Sequence, residues 1–123
     1  MLKFLIISSL LLSLLSCKKL ETDPPKVNIL LPGENDTLQL SDSIQIQCEI
    51  SDKNLRTYKI IIYNYFTRKL FYNEEGSTAN SSISIDKKVF FDITADTTAF
   101  INILGIDANG NTGGAGQKFY IIK

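Results

Sequence analysis

Histidine and tryptophan are absent from this 123-residue sequence, and cysteine occurs only twice. Without histidine there is no Ser-His-Asp triad, no imidazole base and no His-ligated zinc or haem. A surplus of one charge is lacking too: 13 lysines and arginines face 13 aspartates and glutamates. Nucleic-acid binders carry a basic excess, so no nucleic-acid partner is expected. What is present suits a globular domain. The chain is 44% apolar and 10% aromatic, too much for disorder.

Residues 1–17 read MLKFLIISSLLLSLLSC. Lys3 supplies a short basic start, and an apolar run follows that is shorter than the about 20 residues of a spanning helix. This is the layout of a secretory signal peptide. Its end resembles the bacterial lipobox: Leu14 three residues before Cys17, the small Ser16 just before it, then the cysteine. Leu15 stands where that pattern prefers Ala, Ser or Thr. The resemblance implies that residues 1–16 are cleaved and that Cys17 carries diacylglycerol as the new N-terminus. In lipoproteins an Asp after the cysteine marks inner-membrane retention; Lys18 stands there, which implies the outer membrane of a Gram-negative envelope. Two or more acyl chains give stable attachment, at about 0.8 kcal/mol per buried CH₂. The membrane is thus one expected partner, and residues 17–25, ending in Pro24-Pro25, read as lipidated cysteine and tether.

After the tether, period-2 alternation dominates. Strands are expected at 27–31, 43–50, 56–66, 69–72, 82–85, 89–93, 97–106 and 117–122. Asp86-Lys87-Lys88 reads as a turn, and 32–42 and the glycine-rich 107–116 as connections. About seven to eight short strands predict an all-β antiparallel sandwich over 26–123. Three stretches resemble immunoglobulin-like and fibronectin-III-like domains. They are Pro25-Lys26-Val27-Asn28-Ile29, the alternating 44–50 strand, and the ending Ile103-Leu104-Gly105-Ile106-Asp107-Ala108-Asn109-Gly110-Asn111. The chain departs from antibody domains in having no tryptophan on the third strand and no inter-sheet disulfide. Cys48, on an inward strand position, reads as a small buried hydrophobe.

Three constellations hold chemistry. Asp107, Asn109 and Asn111, joined by Asp52 from a neighbouring loop, are a candidate calcium site of oxygen ligands; the other reading is a hairpin turn in which Asp and Asn-Gly supply local hydrogen bonds. Glu74, Glu75, Asp92 and Asp96 offer carboxylates for glycoside hydrolysis, or are solvated loop charges. Strands 56–66 and 97–106 are apolar on both sides. One side is needed for the core, which leaves Tyr63, Tyr65, Phe100 and Leu104 as a candidate binding face for a protein or glycan. Topology puts the domain's N-terminus at the end that carries the Asp52 and Asp107 loops. A partner is therefore expected at the opposite end or on a sheet face. No catalysis and no required cofactor are expected.

Overall fold

The computed structural model describes residues 23–40 and 43–123. The signal segment, Cys17 and all of the tether before Asp23 lie outside the described residues. Eight strands follow in chain order: β1 (Lys26–Leu31), β2 (Thr37–Gln39), β3 (Ile44–Ser51), β4 (Leu55–Asn64), β5 (Leu70–Ser77), β6 (Ser82–Val89), β7 (Thr97–Asp107) and β8 (Thr112–Ile122). They form a three-stranded sheet, β1-β3-β6, and a five-stranded sheet, β2-β8-β7-β4-β5. The fold is the expected immunoglobulin-like β-sandwich.

Alternation builds the core. On β3, Ile44, Ile46, Cys48 and Ile50 are buried while Gln45 and Glu49 face solvent. Ile60 and Ile62 of β4, Ala99, Ile101 and Ile103 of β7, and Phe119 and Ile121 of β8 complete the layer from the other sheet. β-branched side chains suit this pleated, fully dry interface. At about 25 cal/mol per Å² of apolar area removed from water, this layer is the main favourable term of folding. Pro25 is buried as well. A Cβ on Gly113 would overlap the Pro25 carbonyl, so a bare glycine is what lets the N-terminal segment close over β8.

Several sequence expectations are corrected. The antiparallel rule fails once: β2, expected as part of a loop, runs parallel to β8, pairing Leu38 with Ile121. Its three residues are too few to show a period. Asp86-Lys87-Lys88 is no turn but the middle of β6, which pairs with β3 along its whole length. Lys87 points inward there and meets Glu74 of β5, whose Oε1 also accepts the Tyr72 hydroxyl at 3.0 Å. That ion pair joins the edges of the two sheets, and hydrogen bonding to Glu74 raises the Lys87 pKa. The charges mimic a turn because their partner lies on another strand.

Residues 89–93 keep their apolar rhythm without a ladder beyond Val89. Ile93 is buried, and Phe91 stacks on Phe71 with centroids 5.4 Å apart. Strand β5 runs on to Ser77, beyond the expected 69–72, through polar residues whose sequence hides it. The glycine-rich stretch is mostly strand: β8 begins at Thr112, leaving only a tight turn after Asp107.

Candidate functional site

In antiparallel pairs, directly opposed residues share a face. The register sets Phe100 opposite Tyr63 on one side and Lys118 on the other; Leu104 lies between Lys59 and Gly114. All of these point outward from the five-stranded sheet, away from the core. Phe100 and Leu104 lie flat over β8. A Cβ on Gly116 would overlap the Phe100 ring, and one on Gly114 the Leu104 methyl.

The four residues singled out in the sequence therefore share one face, and three of them touch. The Tyr63 and Phe100 rings are 5.5 Å apart, and Tyr65 and Phe100 6.1 Å. Leu104 stands further along β7, toward the other end. Phe66 packs edge-on against Tyr65 at 5.2 Å and is 75% exposed.

A turn at residues 64–69 presents this group. Asn64 Oδ1 accepts the backbone N–H groups of Phe66 (2.9 Å) and Thr67 (3.0 Å), and the Asn64 carbonyl accepts that of Arg68 (2.9 Å). Arg68 closes the turn with a φ of 65°, a left-handed conformation that costs most side chains about 1–2 kcal/mol. Its guanidinium donates to the Tyr63 hydroxyl at 3.1 Å and lies 5.3 Å from the Tyr63 ring and 6.0 Å from that of Tyr65. Lys118 Nζ stands 5.6 Å from the Tyr65 ring and 5.9 Å from the Tyr120 ring. The result is an alternating row: Tyr120, Lys118, Tyr65, Arg68, Tyr63. Such cation–ring contacts contribute about 0.5–1 kcal/mol each at exposed sites.

Arg68, Lys118, Tyr120 and Phe66 were missed in the sequence. Lys118 and Tyr120 become visible only when the pairing register puts Lys118 beside Phe100. The row sits toward the end of the sheet where β4 finishes and β7 begins. The described N-terminus lies at the opposite end, since Lys26 pairs with Ser51 at the close of β3.

At that opposite end, Asp107 is 3% exposed and organises the β7–β8 turn. Its Oδ1 accepts the backbone N–H groups of Asn109 (2.9 Å) and Asn111 (2.8 Å), and its Oδ2 accepts the Asn111 side-chain amide (2.9 Å). Burial pushes the carboxyl pKa up, yet these donors and the Gly110 N–H outweigh it and hold the value below the ordinary carboxylate range. Asp52 Oδ2 accepts the Asn54 N–H, and the Asn54 carbonyl accepts that of Ala108, joining the two loops. Both Asp107 oxygens serve the turn. Among the described residues no group of three or more His, Cys, Asp or Glu is placed to hold a metal ion.

Three of the four other candidate carboxylates have structural partners: Glu75 pairs with Lys59 at 2.8 Å, Glu74 with Lys87, and Asp96 accepts the Lys123 N–H at 2.9 Å. Cys48 is a buried free thiol. Burial, with Glu49 adding to it, pushes its pKa to about 11. It fills core space, as its place on the strand implies.

No protein-family model matches the sequence, and no curated protein matches it. Among solved structures, the chain is similar to the fibronectin(III)-like modules of Clostridium thermocellum CbhA. The identity is 14% and the TM-score 0.49, over 79% of this chain and 93% of that one. It is also similar to a superoxide reductase (neelaredoxin) from Ignicoccus hospitalis, at 10% identity and TM-score 0.48, over 81% of each chain. Likenesses this distant transfer no residue's role.

Proposed function

We propose that the chain is a lipid-anchored cell-envelope protein whose β-sandwich acts as a binding or accessory module without catalysis of its own. Cys17 is the attachment point. The observation that carries the binding reading is the aromatic and cationic row on the outer sheet face, with Tyr63 and Tyr65 each against Phe100. Aromatic rings and arginine are the side chains that dominate recognition surfaces. The row lies at the end of the domain away from the described N-terminus, so a tether leading to a bilayer would leave it accessible.

Affinity co-purification of the full chain from solubilised membranes tests the reading. A partner captured by the wild type and lost on Tyr65→Ala supports it; capture unaffected by that change overturns it. Anchoring is tested separately by labelled-palmitate incorporation, which Cys17→Ala should abolish.

A second reading, a glycan-binding accessory protein of an outer-membrane uptake system, is favoured by the open ring of Phe66, 75% exposed beside Tyr65. Sugars stack their apolar faces on rings so presented.

A further inference from the structure

We infer that the ring-and-cation row takes an acidic polysaccharide, a chain of sugar rings bearing carboxylates; the inference rests on the glycan form of the binding reading. Arg68 and Lys118 would meet the carboxylates, while Tyr65, Phe66 and Tyr120 take the apolar sugar faces.

Charge is the first argument. Among the described residues the ion pairs are Lys59–Glu75 and Lys87–Glu74; Arg68 and Lys118 have no carboxylate partner. Both stand within 6.0 Å of the same Tyr65 ring, so a sugar stacked on the open Phe66 ring beside it lies next to two positive charges. Glu34 has its carboxylate on the Lys118 backbone N–H at 3.0 Å.

Backbone conformation is the second. Arg68 holds a left-handed φ of 65°, where glycine would be easier to accommodate. A long cationic side chain kept at such a place is the kind of local strain found at binding sites.

The third argument separates a glycan from an acidic peptide. Strands β4, β7 and β8 have neighbours on both sides here: β7 lies between β4 and β8, and the outer side of β8 bonds to Asn35 and Asp36. Their main-chain groups are spent, so an extended peptide would gain no backbone hydrogen bonds of the kind strand addition supplies. A polysaccharide needs none, because ring faces and side-chain donors suffice.

The test is affinity electrophoresis of the full chain in detergent through gels containing polygalacturonate, neutral dextran or poly-L-glutamate. Retardation by polygalacturonate is expected, weakened by salt and reduced about tenfold or more in the Arg68→Gln/Lys118→Gln chain. Thermal melts check folding, and Arg68→Gly, which suits the turn, serves as a second variant with the same expected loss. Equal retardation by dextran would overturn the acidic assignment and leave the glycan reading standing. Retardation by polyglutamate alone would overturn it in favour of an acidic protein. No retardation by any polymer, with a protein still co-purifying, would overturn the inference and the glycan reading but not the binding module.

Discussion

Strands β4 and β7 present two different chemistries on their two sides. Inward they offer Ile60, Ile62, Ile101 and Ile103, each with no solvent exposure. Outward, toward the end of the sheet, they offer Tyr63 and Phe100, joined by Tyr65, Arg68 and Lys118. The inner side is buried and aliphatic, part of one core cluster shared by both sheets. The outer side is half-open, and its rings are bridged by cations rather than buried by a second layer. Packing requirements account for the first arrangement. They do not require the second, because a sheet with one covered face is already stable. The contrast separates residues that hold the fold from residues available for a ligand.

Adjacent residues on β7 give the largest expected difference. Ile101→Ala, on the inner face, should cost about 2–5 kcal/mol in denaturant unfolding through lost burial and a cavity. Phe100→Ala, on the outer face, should cost about 1 kcal/mol, although it removes the larger side chain, because only part of the ring is buried. Equal losses would break the distinction between the faces.

A second, pH-dependent loss belongs to Asp107. Its folded pKa is depressed, so its contribution is fully present above the ordinary value of 3.8. It is lost as pH falls through the lower folded value. Melting temperature followed from pH 6 to pH 2 should therefore decline on the acid side, and Asp107→Asn should flatten that part of the curve while lowering the plateau. Ca²⁺ titration of the same protein checks whether the turn takes an ion as well.

Arg68→Gly should change stability by less than about 1 kcal/mol, since relief of the left-handed φ offsets the lost ring contacts. Its effect belongs on binding alone. Smallest of all is the response of Cys48 to thiol reagents. With its pKa near 11 and the side chain buried, native protein at pH 8 should show almost no alkylation until denaturant is added.

The inner face was legible in the sequence because it obeys a strict period of two: Ile44, Ile46, Cys48 and Ile50 on β3, and Ile60, Ile62, Ile101 and Ile103 opposite. The doubly apolar character of β4 and β7 likewise pointed to Tyr63, Tyr65, Phe100 and Leu104 as a second surface. Features that depend on a distant partner were not legible. Lys87 reads as turn chemistry until Glu74 of the other sheet is placed beside it. The glycines of β8 read as a loop until Phe100, Leu104 and Pro25 are seen to need the space. Lys118 and Tyr120 look like ordinary strand residues until the register sets Lys118 against Phe100. Arg68 gave no signal at all, because its importance comes from a backbone angle imposed by the Asn64 turn.

The central claim is that the inner face holds the fold and the outer row holds the ligand. Its most direct test is a paired measurement on the Tyr65→Ser/Phe66→Ser chain: Tm, and the amount of partner or polygalacturonate retained relative to wild type. The account predicts a Tm within a few degrees of wild type and retention lost. Unchanged retention at an unchanged Tm would contradict it.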